Sequence, residues 1–518
     1  MVNTNLFQTS RGRLIKSADT TNLAGGAAYQ LGPENALAQY AATGCLNATY
    51  YASAEMQLDT VLELCKTIPS SFIGKCAVYA RKAGHMKDMP AILCAILAAR
   101  KDSDRTLEQV FFKTIDNGRM LRTFVQIVRS GMTGRKSFGT RIKRLIRQWL
   151  EQRPIDKLFR DSVGEKPSLA DVVKMVHPKP RDAARANFYR YLIGKPVDKN
   201  ELPSPVKEFE LFKAGETDVI PDVEFRMLTG LEGRDIPWNS IAHTAPWHAT
   251  RMNLNTFQRH GVFKDPSLVK IVADRLRNPD EIKKARAFPY QLLSAYKAGQ
   301  DIPFEIRESL QDAMEIAVAN IPSFNGRVAV CVDTSGSMSS PVTGYRGSAS
   351  SAVRCVDVAA LFAASVLRQN KNALIIPFDT TVHTANVNPR DSIMTTANTL
   401  AGYGGGGTSC GAALQHLLEK GCEADVVIYF SDNESWVSSR HQLFRGTDMA
   451  DLWVKYKQYK PTAKLVCVNL TPDETTQVHE QPEVLNIGGF SDAVWDVIAN
   501  FAASKKSWVD TVNEVTLE

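Results

Sequence analysis

The strongest constraint on this chain is a change of hydrophobic period at "NIPSFNGR", residues 320–327. In front of it, apolar residues recur at three- and four-residue intervals, and convincing two-residue alternation is absent before about 325. Behind it, short continuous apolar runs alternate with amphipathic stretches. The two patterns do not share one layer. A helix buries a stripe against other helices, whereas a strand apolar on both faces needs helices above and below it. Pro322 and Gly326 close the last helix, so the break is expected there. At 518 residues the chain is long enough for two cores. The expected division is 1–320 and 321–518.

In the front part, "PENALAQYAATG", "AEMQLDTVLELCKTI", "SFIGKCAVYARKAG" and "PAILCAILAARK" carry helical spacing, with Pro or Gly near their ends. "RTLEQVFFKTI", "GRMLRTFVQIVRSG" and "TRIKRLIRQWLEQ" continue it to about 152, and further helices follow to about 299. Helix–turn–helix units in series suggest an α-solenoid of degenerate, HEAT-like repeats, with an irregular helical bundle as the alternative. The stretch "KEFELFKAGETDVIPDVEF", which contains several acids and a proline, is expected to loop between helices. No run of about 18 uncharged apolar residues predicts a membrane span, and the first residues show no secretory signal. Nine cysteines without a C-x-x-C pair suit a reduced, cytoplasmic chain.

In the back part, "RVAVCVD", "ALIIPFD", "DVVIYFSD", "AKLVCVN" and a short "VLNI" read as strands, with helices between them. This pattern predicts a doubly wound, mostly parallel sheet of the Rossmann-like kind. Such sheets bind ligands at the carboxyl ends of their strands, where Asp333 and Asp432 both fall. Asp333 opens a D-x-S-x-S run with Ser335 and Ser337, and "GYGGGGTSCG" brings Thr408 to the start of a helix. A phosphoryl-transfer aspartate usually has a second acid two residues on, where this chain has Ser335. A phosphate-binding loop needs a lysine that the glycine run lacks. A hydrolase needs a base, available only if His383 or His441 folds back. Two carboxylates and three hydroxyls suit Mg²⁺, a hard cation that takes oxygen ligands and keeps waters. Their low total charge leaves room for a carboxylate from a partner. The residues Asp333, Ser335, Ser337, Thr408 and Asp432 resemble the metal-ion-dependent adhesion site of von Willebrand factor A (vWA) domains.

Charge is unevenly spread. Residues 321–518 hold 15 Lys and Arg against 20 Asp and Glu, leaving 47 against 35 in the front part. Between 119 and 153 the single acid, Glu151, stands among ten basic residues, including Arg135, Lys136, Arg141, Lys143, Arg144 and Arg147. A solvated helix face usually mixes signs, so a polyanion is the expected partner. A second patch holds Lys174, His177, Lys179, Arg181 and Arg185. His177 precedes a proline and so is expected to end a helix. A third stretch, 243–263, combines Trp247, His248, Arg251, Asn253 and Asn255. Such mixtures occur in single-stranded RNA sites, and equally often a core Trp and interior amides make them.

"GCLNATYYASAEMQL", "NGRMLRTFVQIVRSG", "KMVHPKP", "RMNLNTF" and "KKARAFPYQLLSAYKAG" resemble the TROVE module of Ro proteins, in which a vWA domain follows. The likeness is to bacterial Ro proteins in particular. It implies a monomeric ring of helical repeats closed by the vWA domain. Small noncoding Y-type RNA would bind on a basic outer surface, and single-stranded 3′ ends of misfolded RNA in a central hole. It implies a role in RNA maturation or decay with a 3′-to-5′ exoribonuclease, without catalysis by this chain and without DNA specificity. On this sequence the family's H-x-K-P element falls on His177 and Lys179, and its Arg-x-Asn-Leu element on Arg251, Asn253 and Leu254. Segment 135–147 departs more from the animal versions. The rival reading is a protein-interaction scaffold whose metal site recruits a carboxylate, with RNA binding secondary. A metal-dependent hydrolase is third.

Overall fold

The computed structural model describes residues 16–517, apart from 45, 165, 232–235, 286, 288, 300, 318–320, 322, 325, 346–352, 438–445, 492 and 505–506. The chain forms two compact units. One gathers described residues of 1–67, 277–300 and 307–514, and the other those of 68–276, 301–306 and 515–518.

The first unit is built on strands. In chain order they are β1 (Thr20–Thr21), β2 (Ala27–Gln30), β3 (Val328–Asp333), β4 (Leu374–Phe378), β5 (Val426–Ser431), β6 (Lys464–Asn469), β7 (Thr475–Thr476) and β8 (Val484–Gly488). Five of them make one sheet in the order β4-β3-β5-β6-β8, every neighbour parallel. The apolar runs are continuous because both faces are covered. Ala329, Cys331, Val427, Tyr429, Leu465 and Cys467 face helices Gly411–Glu419 and Asp448–Tyr459 through Leu414, Leu417, Trp453 and Tyr456. On the alternate positions, Phe430 meets Phe362 of helix Cys355–Gln369 and Trp495 of helix Ala493–Ser504, with ring centroids 5.3 and 5.9 Å apart. From β3 the chain winds outward to β4 on one side and to β5 on the other. The crevice at that reversal is the usual ligand position of such sheets. Asp333 ends β3, and Asp432 directly follows β5.

The front of the chain supplies part of this unit. β2 pairs antiparallel with β1 and with β7, placing Tyr29 opposite Thr476. Tyr29 is fully buried among the sheet's core residues. The hydrophobic pattern predicts no strands before about 325, and strands of two and four residues carry too few positions to display alternation. Helix Pro33–Thr43 also lies here, with Gln39 against Gly488 at the end of β8.

The second unit is helical. Helices Ser70–Lys82, Asp88–Ala99, Asp104–Thr114 and Gly118–Ser130 pack neighbour on neighbour. Phe111 and Phe124 meet edge to face at 5.2 Å. Thr140–Gln152, Ile155–Asp161, Leu169–Val176, Ala183–Leu192 and Pro266–Leu276 are further helices. One expectation fails here. The first half of "KEFELFKAGETDVIPDVEF" is not a loop but belongs to helix Ser204–Ala214. Val206, Phe209 and Phe212 recur at three-residue spacing and are buried, and Pro205 in the first turn and Gly215 at the end delimit the helix. Its acids lie off that stripe and concealed it. Among the described residues no helix is long and apolar enough to cross a membrane.

Candidate functional site

The end of β3 folds back on itself through short bonds. Asp333 accepts the Ser335 N–H at 2.9 Å and the Ser431 hydroxyl at 2.5 Å. The Ser335 and Ser337 hydroxyls stand 3.3 Å apart. The glycine run docks on this turn: Gly336 N–H donates to Gly406 O at 2.9 Å and Gly405 N–H to Thr334 O at 2.8 Å. Gly404 has φ +75°, and a Cβ there would stand 2.3 Å from the Thr334 hydroxyl, so the approach requires glycine. Thr408 O in turn accepts the N–H groups of Trp436 and Val437, just past Asp432. Asp333, Ser335, Ser337, Thr408 and Asp432 are each no more than 5% exposed.

The electrostatics of this cluster are those of a site short of positive charge. Burial pushes both Asp333 and Asp432 up, and Asp432 pushes Asp333 further. Two desolvated carboxylates beside oxygen donors fit a hard divalent cation, whose charge would let both ionise. No group of three or more His, Cys, Asp or Glu suited to a metal occurs among the described residues. This donor set contains only two acids and relies on hydroxyls. His383 stands 3.1 Å from Asp379, while His441 lies outside the described residues.

Three participants escaped the sequence. Glu434, two residues past Asp432, is buried and pushed up to about 10 by burial, then by Asp473 and Asp432. Its carboxylate accepts the Ala24 N–H at 2.9 Å. The alternating acids of "SDNES" were the available signal. Asp473 is buried beside β7 and accepts the Thr475 hydroxyl at 2.7 Å. Tyr51, pushed up by burial and then by the charge of Asp432, lies close to the cluster, a proximity no spacing could reveal.

In the helical unit, two of the basic segments meet. Helix Thr140–Gln152 buries Ile142, Leu145, Ile146, Trp149 and Leu150 as its spacing requires. Arg147 donates to Val176 O at 2.5 Å, at the end of helix Leu169–Val176. Arg147 therefore adjoins His177, which ends that helix in the left-handed conformation with φ 49°. The proline that follows bars the right-handed form. Lys136, Arg144, Arg147, Lys174, His177, Lys179 and Arg181 are exposed. Others hold the fold together. Arg135 and Arg141 both donate to Ala98 O at 3.3 Å, whereas exposed Arg144 makes only a surface ion pair with Glu108. Lys143 is half-buried. Arg185 is fully buried, donating to Leu150 O at 2.5 Å and Arg153 O at 2.8 Å.

Comparison with known proteins bears on both units. The family description "Ro60 vWA domain" matches residues 327–502. A curated relative from Deinococcus radiodurans, "RNA-binding protein RO60", is 25% identical over 96% of this chain and 97% of its own length. Another of that name from Caenorhabditis elegans is 23% identical over 46% of this chain and 38% of its own. The crystal structure of the Deinococcus radiodurans RO (RSR) protein superimposes with a TM-score of 0.60 at 20% identity, covering 92% of this chain and all of that one. The chain is a homologue of the Ro60 proteins.

In this Ro60 homologue the third stretch is largely structural. Trp247 is buried and donates its indole N–H to Leu276 O at 3.1 Å. Asn253 donates to Ala249 O at 2.8 Å between two short helices, Trp247–Met252 and Leu254–Arg259. Arg251 and Asn253 are half-buried, while His248 and Asn255 are exposed. His248 and Asn253 line a cavity of about 920 Å³ together with Phe225 and Arg226.

Proposed function

We propose that this Ro60 homologue is a non-catalytic RNA-binding protein. It carries small noncoding RNA of the Y type on the exposed basic face of its helical unit. It also takes single-stranded 3′ ends of misfolded RNA, with Arg251 and Asn253 among the contacts. It thereby serves noncoding RNA quality control, maturation or decay alongside a 3′-to-5′ exoribonuclease. The observation that carries this reading is the join between helix 140–152 and the end of helix 169–176. There Arg147 touches Val176, and Lys174, His177, Lys179 and Arg181 stand exposed beside it. Clustered cations of one sign neutralise phosphates and release counterions, which supplies much of the free energy of RNA binding. The names of the two curated relatives support the same class.

The vWA domain holds Mg²⁺ on Asp333, Ser335, Ser337, Thr408 and Asp432. When bound, the ion supplies a positive charge able to accept a further oxygen ligand. Ser431, bonded to Asp333, orients that carboxylate. A scaffold in which this ion recruits a protein is the second reading, favoured by the buried acid pair itself. Ultraviolet crosslinking, with sequencing of the bound RNA and mapping of the linked peptides, tests the first. Small structured RNAs linked to peptides of 136–181 are expected. Recovery of no RNA, or links confined to 321–518, contradicts it.

A further inference from the structure

Between 212 and 268 the core of the helical unit is open on one side. Phe212, Leu228, Ile241, Ala245 and Phe257 are buried together, and Ile220, Val223 and Phe225 pack on them only partly covered. Ile220, Val223, Phe225, Leu228, Ile241 and Ala245 line the cavity of about 920 Å³ that His248 and Asn253 also border. That volume lies in the range of about 300–1,000 Å³ usual for ligand pockets. Met252, on the same wall, is 63% exposed, and Val219, between two wall residues, is 75% exposed. An apolar hollow with exposed apolar side chains around it marks a contact surface.

Charge decides which kind of molecule suits it. Asp218, Asp222 and Glu224 stand at the cavity with Arg160 and Arg226. Asp222 pairs with Arg160, and Glu224 accepts the Arg226 N–H at 2.6 Å. The acids come from 214–225, a stretch with four Asp and Glu and no Lys or Arg, within a front part of the chain that is basic overall. This border is opposite in sign to the exposed cations at 174–181. Phosphates are repelled by such a border, whereas a Lys or Arg is drawn to it. Rim carboxylates choose the partner and speed its arrival, and a buried apolar anchor supplies most of the affinity.

We propose that this cavity is a docking site for a protein partner: it seats an apolar side chain of a short segment whose neighbours are Lys or Arg. The docking site goes beyond RNA binding and does not depend on it. The helical unit then offers two surfaces of opposite charge, one for a polyanion and one for a basic, apolar stretch of protein.

The test uses the full chain, with a phage-displayed library of random peptides as the probe. Selection runs in parallel on the parent and on two cavity variants of unchanged melting temperature. Ser240→Trp sets a large ring into the cavity from an exposed position, and Met252→Arg places a cation on its exposed wall. Peptides enriched on the parent and lost on both variants are expected to carry Leu, Ile, Met or Phe beside Lys or Arg. One of them, synthesised, should shift the isotope-labelled methyl of Met252 and bind severalfold more weakly to an Asp218→Lys, Asp222→Lys variant. The proposal is overturned if no peptide depends on the cavity, if the dependent peptides lack basic residues, or if reversing the two acids leaves affinity unchanged. Oligouridylate that shifts the Met252 methyl and competes with the peptide would also overturn it, and would join the cavity to the RNA contact proposed for Asn253.

Discussion

Arg185 and Lys174 carry the same charge in the same basic stretch and have opposite roles. Arg185 is 0% exposed and satisfies the carbonyls of Leu150 and Arg153. Replacing it with Ala leaves those groups unpaired and should cost about 1–3 kcal/mol for each buried carbonyl that loses its donor. Urea unfolding measures that loss. Lys174→Glu, on an exposed face, should leave stability within about 0.5 kcal/mol and weaken RNA binding instead. At the proposed cation site the sign is less intuitive. Asp333 is buried against Asp432 and raised by it. Without divalent cation, Asp333→Asn should therefore melt no lower than the parent. With Mg²⁺ at a hundred times its dissociation constant, the parent should gain about 2.7 kcal/mol, and the variant none. Equal Mg²⁺ shifts in the two proteins, read by calorimetry, would contradict the donor assignment.

At the scale of elements, the glycine run is the part most sensitive to change. A Cβ at Gly404 would meet Thr334 at 2.3 Å on a backbone with φ +75°. Gly404→Ala should cost about 1–2 kcal/mol for the left-handed backbone alone, and the clash adds to that. It should also shrink the Mg²⁺-induced rise in melting temperature, because the loop that carries Thr408 moves off the motif. The elements that carry the acid pair were legible in sequence because β3 is an apolar run closed by Asp333 and β5 one followed directly by Asp432. Local period alone locates such strands. β1 and β2 were not legible, since β1 is held only by its short pairing with β2, and β2 by β7, whose residues lie more than four hundred positions away. Helix Ser204–Ala214 was misread because its acids were weighed above the spacing of Val206, Phe209 and Phe212. Tyr51 and Asp473 join the cluster through tertiary contacts that leave no trace in composition. Among the basic residues, sequence counted charge correctly but could not separate Arg141, bonded to Ala98, from exposed Lys179. That distinction depends on which carbonyls the packing leaves within reach.

Across the whole molecule, charge is divided along the chain, with the basic excess in residues 1–320 and an acidic balance in 321–518. The excess becomes informative only where packing concentrates it, at the meeting of helices 140–152 and 169–176. Binding there should be governed by phosphate contacts and so fall steeply with salt. The most direct measurement is the affinity for a small structured RNA as a function of salt, in the parent and in a Lys174→Glu, Lys179→Glu, Arg181→Glu variant whose melting temperature is unchanged. The variant is expected to bind more weakly at every salt concentration, with a log–log slope shallower by about 0.7 to 0.9 for each phosphate it no longer neutralises. Equal affinity and equal slope for the two proteins would contradict the assignment of this surface to RNA.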